Sequence, residues 1–112
     1  MENRLLPVER QLEAYNARDL EAFLNCYAED CLVEDGVGHV QMQGRDAMRE
    51  RYANLFANSP NLHCRIMNRI PVGSYVIDEE RVTGSMGSEE ERHVVAVYLV
   101  EDGLIRRVRF LR

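Results

Sequence analysis

The chain has 112 residues, with 14 basic against 19 acidic side chains, a formal net charge of −5, and 46% hydrophobic and 29% charged residues. Such a length suits one domain over residues 1–112 with a modest core, and the composition reads as globular rather than disordered. The acidic balance argues against a nucleic-acid partner, which needs surplus positive charge, and the absence of lysine excludes Schiff-base chemistry on a protein amine and covalent pyridoxal phosphate.

In chain order, "LLPVERQLEAYNA" predicts a helix with Pro7 near its first turn and a stripe of Leu5, Val8, Leu12 and Tyr15. Asp19 is placed to cap a second, short helix whose stripe is Leu20, Phe23, Leu24 and Tyr27. "CLVED" and "HVQMQ" predict two short strands around the "GVG" turn, and a third helix starts near Arg45 with Met48, Tyr52, Leu55 and Phe56 facing inward. The second half predicts a four-strand meander: "LHCRIMNRIPV", "SYVID" to "RVTGSM", "RHVVAVYLV" and "LIRRVRFL", with turns at Gly73, "DEE", "GSEEE" and "EDG". Pro71 would remove a ladder hydrogen bond inside a sheet, so it marks an edge or a bulge. The pattern is an α+β domain: a cone-shaped curved antiparallel sheet closed by three N-terminal helices around an apolar cavity.

Cys26, Cys31 and Cys64 lack CxxC spacing and fit reduced thiols. "MENRLLPVER" lacks the apolar region of a signal peptide, and no window approaches transmembrane length. A cytoplasmic location without a membrane partner is expected.

Several residues have the chemistry of a site. Asp35 shares a strand face with Cys31 and Val33. A carboxylate on an apolar face binds its proton more tightly and is suited to taking a proton from a carbon beside a carbonyl. The alternative is that Asp35 initiates the "DGVG" turn. Gln11 lies on the inner side of the first helix, where its amide can donate into a cavity or meet solvent. Tyr27 and Tyr52 sit on apolar stripes and need hydroxyl partners if buried, each other or a ligand. Asn68 interrupts an apolar strand face and serves either the pocket or a bulged backbone near Pro71. His39 follows the glycine turn, at a cavity mouth or on a surface loop. Val94, Tyr98 and Val108 shape a wall. The histidines His39, His63 and His93 have no metal-ligand spacing, so no metal is expected.

Three stretches carry a resemblance. "VERQLEAYNARDLEAFLNCYAEDCLVEDGVGHVQMQGRDAMRERYAN" resembles the N-terminal half of ketosteroid isomerases. "NRIPVGSYVIDEERVTG" and "VAVYLVEDGLIRRVRFLR" are similar to the remainder of the SnoaL-like pattern in the nuclear transport factor two superfamily. The resemblance implies a cone with an apolar cavity, a homodimer packed through the sheet, and Asp35 where the isomerases carry their base. Tyr27 and Tyr52 fall where some members carry a tyrosine network. Gln11 stands where the isomerases have the oxyanion-hole tyrosine, and Ala96 where they have a protonated aspartic acid. Three functions follow as alternatives. The first is a cofactor-free isomerase or polyketide cyclase-like enzyme in which Asp35 moves a proton on a small hydrophobic carbonyl compound and Gln11 polarises its oxygen. The second is a non-catalytic binding module for a small hydrophobic molecule, and the third a structural dimer.

Overall fold

The computed structural model describes residues 3–112. Helices α1 (Leu5–Ala17) and α2 (Leu20–Leu24) come first, then strands β1 (Tyr27–Asp35) and β2 (Val40–Gln43) and helix α3 (Gly44–Ala57). Four longer strands follow: β3 (His63–Val72), β4 (Tyr75–Thr83), β5 (Arg92–Glu101) and β6 (Leu104–Leu111). All six strands form one sheet in the order β2-β1-β6-β5-β4-β3. The helices pack on its concave side and leave a hollow within the curve.

The sheet is mixed rather than wholly antiparallel as expected. β1 pairs with β6 in parallel, while every other neighbouring pair is antiparallel. The reason is topological: α3 and the whole meander intervene between β1 and β6, a connection long enough to bring the last strand back alongside the first in the same direction. Register shifts at Val33/Glu34, Ile66/Asn68 and Leu99/Val100 bend the strands and give the curvature.

Local chemistry explains the helices. Asp19 accepts a hydrogen bond from the Ala22 N–H at 3.2 Å and so caps α2. Met48, Tyr52 and Phe56 recur every four residues and form the buried face of α3. The Arg45 side chain ties this helix to β1 by donating to the Tyr27 carbonyl at 2.8 Å. Asn16 does the same for α1: its amide donates to the Cys64 carbonyl at 3.1 Å and accepts from the Cys64 N–H at 2.8 Å. That pair of bonds mimics a strand neighbour on the outer edge of β3. Between the helices and the sheet, Phe23 centres an aromatic cluster, with ring centroids 4.6 Å from Tyr52 and 5.0 Å from Tyr27.

The turns at Gly73 and around Gly103 fall between strands as expected, and Pro71 lies on an edge strand. "DEE" does not form the expected turn. Asp78, Glu79 and Glu80 lie inside β4, where Val76, Asp78, Glu80 and Val82 alternate as its buried face. Turn preference yields here because Arg69, in register with Asp78 on β3, supplies a counter-ion inside the sheet.

After β4 the chain turns at Gly84, which has φ +78° and would bring a Cβ to 2.2 Å from the Asn61 carbonyl oxygen. The adjoining 3₁₀ turn (Ser85–Gly87) is held by the Met86 N–H donating to the buried Ser59 hydroxyl at 2.8 Å. Gly84→Ala is therefore expected to destabilise the fold by about 3 kcal/mol, combining positive-φ strain with a backbone clash. Gly87→Ala, at φ +77° with no atom within 4 Å of the new Cβ, meets only the first penalty, about 1 kcal/mol. Thermal denaturation of both variants checks this, and equal losses would contradict it.

Candidate functional site

A cavity of ≈ 370 Å³ opens between the helices and the concave sheet face, within the usual range of about 300–1,000 Å³ for small-molecule sites. Its walls include Phe23, Leu55, Val82, Val94 and Phe110. The polar groups at its floor are Gln11, Tyr27, Tyr98 and Glu80, all buried.

Three of these groups form one hydrogen-bonded chain, and it ends beside the fourth, Glu80. The Tyr27 hydroxyl donates to Gln11 Oε1 at 3.1 Å, and Gln11 Nε2 donates to the Tyr98 hydroxyl, also at 3.1 Å. The Tyr98 hydroxyl and the Cys64 thiol lie beside the Glu80 carboxylate and favour its ionised form. Gln11 stands at the centre of the buried face of α1, between Val8 and Ala14. The amide tolerates that position because phenols satisfy both its ends.

Burial, followed by the charge of Asp78, raises the Glu80 carboxyl from 4.5 to about 7. Asp78 is equally buried but accepts two hydrogen bonds from Arg69, at 2.7 and 2.9 Å. Glu80 has only uncharged donors. Burial, with nearby Glu80, also pushes the Tyr98 hydroxyl far above its ordinary range, and burial does the same to Tyr27. Both phenols are neutral donors at any physiological pH.

Five expected site residues are brought together in the cavity lining: Gln11, Tyr27, Tyr52, Val94 and Tyr98. Ala96 and Val108 are buried in the sheet but do not reach the lining. Asn68 is exposed, because the bulge between Ile66 and Asn68 shifts the alternation and turns Arg69 inward instead. His39 is 77% exposed and stands beside Asp35.

Asp35 itself is the main correction, because its carboxylate lies outside this cavity. Asp35 Oδ1 accepts from the Val37 and His39 N–H groups at 3.0 and 2.9 Å, closing the turn after β1. The His39 backbone bond, with lesser help from Val37 and the His39 side chain, holds the carboxyl below its ordinary 3.8. The residue borders a separate hollow that shares Met42, Arg51, Phe110 and Arg112 with the cavity but not its polar floor. A well-solvated carboxylate with three such partners is a weak proton acceptor.

Sequence reasoning missed Glu80, because consecutive acids were read as a turn. The available signal was the period of two linking Val76, Asp78, Glu80 and Val82. It also passed over Tyr15, Cys64, Arg51, Arg92 and Arg112, which line the same cavity. Among the described residues, no three His, Cys, Asp or Glu side chains converge as a metal site, and no helix is long and apolar enough to cross a membrane.

Residues 8–108 match the SnoaL-like domain. A solved structure of an uncharacterised cystatin-fold protein from Novosphingobium aromaticivorans is 32% identical over 100% of both chains, with a TM-score of 0.90. An LEH-like epoxide hydrolase from Mycobacterium tuberculosis is 18% identical with a TM-score of 0.83, covering 96% of this chain and 80% of that one. A protein of ketosteroid isomerase-like fold from Catenulispora acidiphila, solved in complex with trimethylamine, is 19% identical with a TM-score of 0.75, covering 93% and 82%. The last two share the fold at identities too low to carry a reaction across.

The raised carboxyl has a consequence for stability. Between pH 4.5 and 7 the native chain keeps a proton on Glu80 that the unfolded chain has released. This group therefore lowers stability as pH rises through that window, and its penalty is constant above it. Relative to Glu80→Gln, the wild type is expected to lose ~1–3 kcal/mol across the window, measured by chemical denaturation at a series of pH values. A gap between the two proteins that does not change with pH would show that Glu80 titrates normally.

Proposed function

The chain belongs to the SnoaL-like family, and from that premise we propose that it binds a small carbonyl compound in its cone and moves a proton on it, with Glu80 as the acid–base group. One observation carries this reading: a carboxylate raised to about 7 inside an apolar-walled cavity, beside the hydrogen-bonded chain of Tyr27, Gln11 and Tyr98. A group whose proton affinity matches the working pH is the most effective general base or acid.

The step needs only side chains of this protein. Ionised Glu80 takes a proton from the carbon beside the carbonyl. The C–H electron pair becomes the carbon–carbon double bond of an enolate, and the carbonyl π pair moves onto oxygen. Gln11 Nε2 has a second N–H beyond the one given to Tyr98, which is available to that oxygen. Protonation of Glu80 also removes the charge that holds the Tyr98 hydroxyl. That donor is released as negative charge develops on the substrate, which is where electrostatic stabilisation acts. Return of the proton to the same or another carbon of the conjugated framework completes exchange or isomerisation.

The role first expected of Asp35 passes to Glu80 in this reading. Gln11 and Tyr27 keep the polarising and hydrogen-bonding roles expected of them, Tyr98, expected only to shape the wall, becomes a donor, and Tyr52 with Val94 shapes the wall. The fold also suits binding without turnover, which the same experiment separates.

Phenylacetone incubated in deuterium oxide, followed by proton NMR, is the test. The wild type is expected to exchange the protons beside the carbonyl faster than buffer alone. Glu80→Gln should slow the enzyme-dependent rate about a hundredfold, and Asp35→Asn should leave it within about twofold. Exchange unaffected by Glu80→Gln would remove Glu80 from the role. Bound ketone recovered without deuterium would reduce the site to a binding module.

A further inference from the structure

Four charged side chains line the cavity, and three of them are arginines: Arg51 from α3, Arg92 at the start of β5 and Arg112 just beyond β6. This is an odd distribution for a chain of net charge −5. The fourth, Glu80, is buried at the floor, whereas the three arginines are exposed and mark the opening. Backbone register places two of them on the same surface. Val95 faces Leu111 across the β5–β6 pair, so Arg112 falls opposite Val94 and diagonal to Arg92 on the concave face. Arg51 comes from the helix across the opening, one residue before Tyr52. Arg112 lies over the Phe110 ring at 4.9 Å, and Phe110 is itself part of the cavity wall.

Six arginines elsewhere are ion-paired: Arg49 meets Glu21, Arg69 meets Asp78, Arg81 meets Glu91, Arg106 meets Asp30 and Glu101, and Arg107 and Arg109 meet Glu34. Among the described residues Arg51, Arg92 and Arg112 join no ion pair, as is also true of Arg4, Arg10, Arg18, Arg45 and Arg65, but these three alone converge on the cavity. Their positive field reaches into the cavity, since Arg112 and Arg51 both oppose the rise that burial imposes on the Tyr52 hydroxyl. The opening is cationic, the walls are apolar, and the floor carries hydrogen-bonding groups.

We propose that the ligand is an oxo acid: a compound whose carboxylate is held among Arg51, Arg92 and Arg112, whose apolar body fills the cone, and whose carbonyl reaches Gln11, Tyr98 and Glu80. This deepens the proton-transfer reading and rests on it for the orientation of the carbonyl. Guanidinium groups suit the head group because their planar fork matches a carboxylate with two parallel hydrogen bonds. The arrangement also separates the two negative charges, since the substrate's carboxylate stays at the mouth while Glu80 works at the floor. A neutral ketone of the same shape would gain the walls and the floor but not the mouth.

Calorimetric titration with para-acetylbenzoate and with its methyl ester tests the proposal, because the pair differ in charge and share the aromatic ketone. The wild type is expected to bind the acid at least about tenfold more tightly than the ester, with the preference shrinking as salt is added. The double variant Arg92→Gln/Arg112→Gln should erase that preference without changing ester affinity. Arg65→Gln, an exposed arginine on β3 away from the cavity, should preserve it. Tyr98→Phe should weaken acid and ester by the same factor, and thermal denaturation of each variant confirms that it folds. Equal affinity for acid and ester, or a preference that survives the double arginine variant, overturns the oxo-acid assignment while leaving the cavity reading intact. Acid and ester affinities that Tyr98→Phe leaves unchanged place the ligand on the outer surface and overturn the proposed orientation. Failure of both compounds to bind the wild type overturns the cavity reading and the assignment together.

Discussion

The concave face of β4 buries two carboxylates, Asp78 and Glu80, and only one of them has a counter-ion. Asp78 holds Arg69 by two hydrogen bonds of 2.7 and 2.9 Å. Glu80, two residues on, has the Tyr98 hydroxyl and the Cys64 thiol. Burying an ionised carboxylate without a countercharge is expensive, and the usual resolution is that the group keeps its proton to higher pH. Asp78 adds to the effect as a neighbouring negative charge that Arg69 does not fully cancel at that distance. The paired acid is therefore a structural member of the sheet, and the unpaired one is the group free to change its protonation.

That constraint accounts for features away from β4. A neutral-donor solution requires hydroxyl and amide groups at the cavity floor, and these come from three other elements: Gln11 on α1, Tyr27 on β1 and Tyr98 on β5. Gln11 occupies the middle of the buried helical face, a place an apolar residue would ordinarily take, so α1 must dock with its amide facing the sheet. The Asn16 bonds to both backbone groups of Cys64 hold the helix in that rotation from the sheet edge. Cys64 is the residue whose thiol also meets Glu80. One edge contact thus positions the helix that carries Gln11 and the strand that carries a direct neighbour of the buried acid.

Much of the architecture was legible because apolar periodicity dominates it. The stripe of α3, the capping of α2 by Asp19 and the four-strand meander follow from spacing alone, whereas Tyr27, expected on the α2 stripe, instead begins β1 because α2 stops at Leu24. So does the placement of Gln11 and Tyr98 on inward faces. Two things were not legible, and both concern charge. "DEE" has the composition of a turn, and only the cross-strand partner Arg69, nine residues earlier, makes burial of its first acid tolerable. A single strand read alone contains no information about that partner. Asp35 shows the reverse error. Its face in β1 was assigned by alternation, but the side chain bends back to satisfy the N–H groups of Val37 and His39. A short-range hydrogen bond to the chain's own turn outweighed the strand's facing, as it commonly does for aspartate near glycine. The bulge that moved Asn68 outward belongs to the same class, since one extra residue inverts the parity on which such assignments depend.

Asp35 and Glu80 belong to one curved sheet, yet their proton affinities shift in opposite directions. Asp35 receives backbone N–H groups, fixed dipoles that favour the anion, and it has solvent beside it. Glu80 receives movable hydroxyl and thiol donors and has apolar walls around it. Fixed donors stabilise charge permanently and so hold a group in one state. Movable donors can turn toward charge wherever it appears, so they leave the acid free to take a proton and then serve the oxygen that receives the electrons. The three arginines at the opening line the same cavity, and none is among the main influences on the Glu80 carboxyl, which stays raised to about 7. A cationic mouth over a carboxyl that is only partly ionised near neutral pH can draw an anion inward while that acid repels it less than a fully ionised one would. The chain's overall negative charge makes that local reversal of sign the feature of its surface that a ligand would sense first.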